Sequence, residues 1–338
     1  DSVRAGDGDD TIHSFEGNDT IDAGAGSDWA AGYGGDDYID GGFGDDTLYG
    51  GIGQDTLLGS YGSDELHGND GDDFVDGGAG NDLITGDLGH DTLLGSTGND
   101  TIYGATGNDS VLGGSGDDLL YGEGGKDTVS AGEGADTVYG GSEDDLIDGG
   151  AGNDLLLGNE GNDTIYGGAG RDTLNGGADN DVLRGGEGDD IVSGGSGNDV
   201  LHGDDGKDTL IGGSGDDIIV GGADADTIIT GNGYGDDTVD GGEGRETVDG
   251  SDIPSDYAQL SGVIISDQLN NSMGVVNSFA TGELGYMTSN VYAELSDVSG
   301  QTLVPDSNGL GQQTVGILEV GNEVYVNGVR YTVTDETG

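Results

Sequence analysis

The sequence predicts an all-β fold: a parallel β-roll, or β-solenoid, of two nonapeptides per turn, closed by a small β-rich C-terminal cap. Three observations predict it. A nine-residue period runs without insertion or deletion from Ala5 to Ile229, which makes 25 units over 225 residues. The sixth place of the unit is Asp in every one of them, and the eighth is Ile, Leu or Val in all but one, where Ala30 stands beside the single tryptophan, Trp29. A fixed period of this kind dictates architecture before any local propensity is considered.

The elements follow from the unit. Its first six residues hold most of the glycines, which permit tight turns with positive φ, and its last three, such as Leu83-Ile84-Thr85, suit a very short strand with the middle side chain facing in. Two units make one coil, so residues eighteen apart lie above one another and a thin aliphatic core separates two parallel sheets. A flexible linker would not hold an aliphatic residue in register for so long, and collagen needs Gly at every third place with abundant Pro, whereas this chain has 2 Pro. The unit Thr230 to Asp240 carries two extra residues, and Gly241 to Asp249 closes the array with Glu246 in the place of Asp, for 27 units in all. Residues 1–249 are thus one repeat domain. Asp1 to Arg4 fit places six to nine of a preceding unit, which leads one to expect a piece of something longer.

Composition restricts the partners. Gly supplies 78 of 338 residues, and 69 acids face only 7 Lys and Arg, for a formal charge of −62. Such self-repulsion opposes a compact state unless cations join it. Nucleic acid and anionic membrane surfaces are poor partners for the same reason. There is no Cys, no apolar run long enough to cross a bilayer as a helix, and no basic and apolar leader at the start. One buried aliphatic side chain for every nine Gly-rich residues is also too little to offset the entropy of ordering them. The coil is therefore expected to fold only when a ligand binds each unit.

The aspartates supply the ligand's chemistry. Ca²⁺ takes six to eight oxygen atoms from carboxylates and carbonyls and tolerates irregular geometry, whereas Mg²⁺ prefers octahedral, water-rich sites. The expected carboxylate ligands are Asp10, Asp19, Asp28, Asp37, Asp46, Asp55, Asp64, Asp73, Asp82, Asp91, Asp100, Asp109 and Asp118. They continue at Asp127, Asp136, Asp145, Asp154, Asp163, Asp172, Asp181, Asp190, Asp199, Asp208, Asp217, Asp226 and Asp237. Stacking aligns them in two columns, and each ion sits between loops of adjacent turns, with Gly-rich loops offering carbonyls. Twenty-seven units paired two apart leave about 25 sites, worth roughly +50 as Ca²⁺. Residues 1–249 hold 58 acids and 6 bases, a charge of −52, which these ions nearly cancel. The fifth place, open to Asp, Asn, Ser, Ala, Gln, His, Lys and Arg, reads as solvated turn residues.

GGAGNDLIT, GGSGNDVLH and GGSGDDIIV resemble the nonapeptide of RTX proteins, the repeats-in-toxin family of hemolysin-type calcium-binding repeats. The resemblance covers about 249 residues. It implies a Ca²⁺-bound β-roll in a protein that leaves a Gram-negative bacterium through type I secretion machinery, typically with an uncleaved C-terminal signal. Departures fall at Glu143, Asp179 and Asp224, which replace the loop Gly of the fourth place, and at Ser14-Phe15, Tyr234 and Glu246. Ion occupancy is expected to be weakest there.

Other residues carry less. His13, His67, His90 and His202 are scattered along the coil, and residues 203–338 contain no His for a Ser-His-Asp triad. No catalytic set is therefore expected, and the chain reads as a non-enzyme. Tyr103, Tyr121 and Tyr139 recur eighteen apart at the outward ninth place, with Leu157 next in line; the preferred reading is a ladder that stabilises the sheet, and the alternative is a contact surface. Residues 250–338 read as a β-rich cap, with export information left open as a further role. The cap is clearest in EVYVNGVRYTV, where Asn327-Gly328 signals a two-residue hairpin. The chain's last five residues show no recognisable terminal address.

The expected molecule is a secreted, extracellular or cell-surface calcium-binding rod of about 13 turns and about 65 Å. It stays unfolded at cytosolic calcium and folds outside. Two function classes follow: part of a structural or adhesive surface protein (surface layer, matrix or filament), or the export and folding module of a secreted enzyme or toxin whose active domain lies upstream. The first is favoured by the length and regularity of the array. Self-association and a cell-surface or matrix partner both remain open.

Overall fold

The computed structural model describes residues 1–231, 235, 237–242, 244 and 246–249, and the backbone of five later strands, Val263–Asp267, Ser272–Val276, Gln301–Pro305, Glu323–Val326 and Val329–Asp335. The fold is an all-β parallel solenoid of about 13 turns, and the described residues contain no helix. It divides into two compact units, Asp1–Glu187 and Gly188–Gly338.

In the first unit alternate strands build two parallel sheets. One runs from Ser2–Asp7 to Val182–Glu187, the other from Thr11–His13 to Thr173–Ala178. Neighbours pair in an eighteen-residue register, as in Leu83↔Thr101 and Ile84↔Ile102. Ser2 to Arg4 obey it too, since Ser2 pairs with Thr20. The strands are twice as long as the sequence reading expects. Leu83–Leu88, for example, spans six residues, from the seventh place of one unit to the third of the next. Only the fourth-place residue, usually Gly, the variable fifth-place residue and Asp remain for the turn, as in Gly89-His90-Asp91. The reason is that the second and third places keep pairing with the turn above despite the positive φ at the second, so glycine bends the strand without ending it.

Three places per unit face inward. The eighth-place side chains, among them Ile84, Leu93, Ile102 and Leu120, are fully buried. The first place, usually Gly, is buried beside them, and so is the sixth-place Asp.

The second unit repeats this plan through Ile191–Ser196, Val200–Asp205, Thr209–Ser214, Ile218–Ala223 and Thr227–Ile229. The eleven-residue unit is absorbed outside the strands. Register there steps by twenty residues, Ile218↔Thr238 and Thr227↔Thr247. Glu246–Asp249 pairs in parallel with Val263–Asp267, which turns back into the antiparallel Ser272–Val276. A separate antiparallel sheet joins Gln301–Pro305, Val329–Asp335 and Glu323–Val326. The hairpin pairing expected around Asn327-Gly328 is present, with Val326 opposite Val329. The two turn residues themselves lie outside the described residues, as do Tyr234 and the last three residues of the chain.

Candidate metal centre

Each turn is compact because glycine stands at its fourth place. At Gly80 φ is 140°, and a Cβ there would lie 1.5 Å from the carbonyl oxygen of Gly62 in the turn below. Turns therefore stack backbone to backbone. Where the family pattern loses this glycine φ stays positive but shifts into the left-handed region, to 81°, 75° and 69° at Glu143, Asp179 and Asp224, a conformation strained for a residue with a Cβ.

Stacking leaves turn N–H groups to satisfy. The fourth-place N–H donates to the third-place carbonyl of the next turn, as Gly80 does to Thr97, and the seventh-place N–H to the sixth-place carbonyl of the previous turn, as Thr101 does to Asp82. The fifth-place N–H donates to the fifth-place side chain of the previous turn, at 2.7–3.3 Å, including Asp36 to Asn18, His90 to Asp72 and Asn108 to His90 Nδ1. These residues form a side-chain ladder along the turns. The solvated-turn reading of the fifth place missed it, although the abundance of Asp and Asn there was the signal.

The sixth-place N–H donates forward to the Oδ1 of the next aspartate in its column. One column runs Asp10, Asp28, Asp46, Asp64, Asp82, Asp100, Asp118, Asp136 and Asp154, at 2.7–2.9 Å. The other runs Asp19, Asp37, Asp55, Asp73, Asp91, Asp109, Asp127, Asp145 and Asp163, over the same distances. In the second unit Asp190 and Asp199 donate to Asp208 and Asp217 at 2.9 Å, Asp208 to Asp226 at 2.9 Å, and Asp217 to Asp237 at 3.0 Å across the enlarged unit. The expected two columns are therefore present. From Asp19 to Asp226 the aspartates are only 1–3 % exposed; Asp237 is 6 % exposed and Asp10 half-buried.

Half of each carboxylate is thus spoken for. The other oxygen, Oδ2, is buried and accepts no hydrogen bond at every sixth-place residue from Asp28 to Asp163, and again at Asp208 and Asp217. It points at the first-place glycine of its own unit. A Cβ on Gly95 would meet Asp100 Oδ2 at 2.4 Å and the Gly113 carbonyl oxygen of the next turn at 2.6 Å, which explains why this place is so nearly always Gly. Ser14 is an exception, and its hydroxyl donates to the Gly32 and Ala31 carbonyls at 3.0 and 3.3 Å.

The electrostatics are unfavourable for a bare carboxylate. Burial first, and then the neighbouring carboxylates of the column, push Asp145 up to about 8 and Asp64, Asp73 and Asp118 up to about 7. The same causes bring Asp46, Asp55 and Asp217 to about 6. Among the described residues no three carboxylate or imidazole side chains converge, so a cation held here would take its charge from these aspartates and would need backbone carbonyls to complete its shell. Buried, unpartnered, oxygen-only donors of negative charge fit a hard divalent ion.

The RTX calcium-binding nonapeptide repeat (4 copies) matches the chain at residues 1–30, 23–57, 58–93, 85–120, 94–129, 121–156, 130–165, 166–201, 202–234 and 233–252. The chain belongs to the RTX calcium-binding repeat family. Its repeats form a calcium-binding β-roll. No curated protein matches the chain. Four chains of solved structure do. One is similar over 72 % of this chain and 83 % of its own, at 23 % identity and a TM-score of 0.36: the X-ray crystal structure of a hyperactive, Ca2+-dependent, beta-helical antifreeze protein from an Antarctic bacterium.

Two of the four histidines of these RTX repeats, His13 and His67, belong to one aromatic column, while His90 and His202 stand apart from it. His13, Trp29, Tyr49 and His67 form one run of ring contacts, with centroids 4.9, 5.7 and 4.7 Å apart; Trp29 meets both neighbours tilted, by 52° and 41°, and Tyr49 stacks on His67 within 6°. Trp29 covers the gap that Ala31 leaves in this column, where Ala31 is only 4 % exposed. The expected Tyr103–Tyr121–Tyr139 ladder follows further along, at 4.8 and 4.9 Å with rings 4° and 5° from parallel.

Proposed function

We propose that the chain is a secreted calcium-binding β-roll that folds on meeting Ca²⁺ outside the cell, as part of a structural or adhesive bacterial surface or extracellular protein. The observation that carries the reading is the pair of aspartate columns whose Oδ2 atoms, from Asp28 to Asp163, are buried beside a neighbouring carbonyl without a hydrogen-bond donor. A buried anion with no partner destabilises the fold, and repeated along a column it opposes folding outright. Calcium at about 25 inter-turn sites removes the penalty and couples binding to folding. Asp10 through Asp237 supply the carboxylates, and the Gly-rich turns of residues 1–249 supply the carbonyls.

On this reading the roll is itself the product and performs no catalysis, residues 250–338 cover its C-terminal end, and type I machinery exports the unfolded chain. The same site also serves the second reading, a folding and export module for a secreted enzyme or toxin; the coding sequence upstream of Asp1 separates them. Among the described residues no helix is long and apolar enough to cross a membrane.

Far-UV circular dichroism from chelator into millimolar Ca²⁺, with Mg²⁺ as control, tests the folding reading. A calcium-specific gain of β signal is the expected result. Full β signal in chelator would sink it.

A further inference from the structure

The two sheets of Asp1–Glu187 differ on their outer faces. On the sheet ending at Thr173–Ala178 the seventh and ninth places of alternate units flank the buried eighth on the outer face, and between Leu83 and Asn175 none of them is charged. Its centre reads Thr101/Tyr103, Leu119/Tyr121 and Thr137/Tyr139, all half-buried. The same places on the other sheet carry Asp76, Asp148 and Arg184. The other sheet is uncharged at these places over only three turns, Thr92/Leu94 to Thr128/Ser130, so the six turns from Leu83 to Asn175 are the longer run, and acids border it at the second place, Asp87 and Glu123, and at the third, Glu160.

The geometry narrows what such a stripe accepts. The tyrosines stack on one another at 4.8 and 4.9 Å, so their ring faces are covered and only edges and hydroxyls point outward. Sugars and bases dock on open aromatic faces, which this ladder does not offer. A flat array of aliphatic, threonine and ring-edge groups repeating once per turn instead matches another array of the same period, as two sheets do when they close a dry contact. Two copies of so acidic a chain also meet with least repulsion where neither presents carboxylates.

We propose that this stripe, from Leu83 to Asn175, is the surface by which two copies of the chain pair face to face. The inference rests on the reading that calcium folds the repeats, so sedimentation velocity is run in millimolar Ca²⁺ over a range of protein concentrations, with circular dichroism on each sample. The wild-type chain is expected to show full β signal and reversible, concentration-dependent association. Thr137→Glu with Leu155→Glu, which leaves the tyrosine stack whole, is expected to weaken association about tenfold or more by opposing like charges. Each single substitution is run beside the double one, so that a variant retaining β signal is always available. Leu112→Glu, on the other sheet and 43 % exposed, is expected to change nothing. A folded wild-type chain that sediments as a monomer throughout overturns the proposal. So does association that survives the stripe substitutions, or that Leu112→Glu weakens as much. A wild-type chain without β signal in calcium overturns the folding reading, and this inference with it.

Discussion

The sixth-place aspartate does two jobs with one side chain. Oδ1 accepts the N–H of the aspartate one turn below, while Oδ2 stays buried beside a first-place methylene and a carbonyl of the turn above. Asp→Asn keeps the shape and an acceptor but removes the charge that a cation needs. Asp118→Asn with Asp136→Asn, neighbours in one column, is therefore expected to lower the calcium bound per chain, measured by calorimetry with metal analysis. Unchanged stoichiometry would refute the ligand assignment. The eighth place behaves differently. Ile102 is fully buried, and Ile102→Ala is expected to cost about 2–5 kcal/mol as a core cavity without removing an ion site. Calcium stoichiometry should hold while thermal stability in calcium falls.

At the scale of the element, the turn is defined by its fourth-place conformation. Glycine reaches positive φ without cost, whereas Glu143, Asp179 and Asp224 are held there by the stacked turns on either side. Replacing Glu143 by Gly is expected to stabilise the calcium-loaded fold by about 1 kcal/mol, read as a raised Tm in differential scanning calorimetry. Gly80→Val is expected to do the reverse, and by more, because its branched side chain would meet the Gly62 carbonyl. The strands tolerate the second-place bend because each pairs with a neighbour in the same register, so the bends coincide. The aromatic ladders belong to this scale too: Tyr103 to Tyr139 and Tyr49 on His67 follow from placing identical positions one turn apart, whereas His13 reaches Tyr49 only through the seventh-place Trp29.

At the scale of the whole molecule the columns make the stability of the calcium-free fold depend on pH. Burial and like-charge neighbours raise the folded-state pKa of these aspartates to about 6 at Asp55, about 7 at Asp73 and about 8 at Asp145. In the unfolded chain they return to about 3.9. Between those values the folded form binds more protons, so without calcium its stability is greatest near pH 4 and falls as pH rises through 6 to 8. Circular dichroism in chelator is expected to show β signal growing as pH is lowered across that window. A flat profile would mean that the columns carry no such penalty. In millimolar calcium the dependence should flatten above pH 7, because the ions replace the protons as neutralising charge.

The nine-residue period by itself determined the class of fold, the eighteen-residue register, the inward aliphatic column and the two aspartate columns. Each of these follows from repeating one unit with nothing inserted: position along the chain becomes position along the solenoid. The same logic puts Tyr103, Tyr121 and Tyr139 in a ladder from their spacing alone. Only the tertiary structure decided how far pairing continues past the bend, because strand length depends on whether neighbouring turns bend together. It also decided the roles of the two turn residues. A fifth-place side chain satisfies the N–H of the next turn, and the sixth-place Asp spends one oxygen on the backbone and keeps the other buried. Those are relations between residues eighteen apart across a gap of one turn. The unit shows which residues repeat, but which N–H meets which oxygen is settled by how closely glycine lets the turns stack.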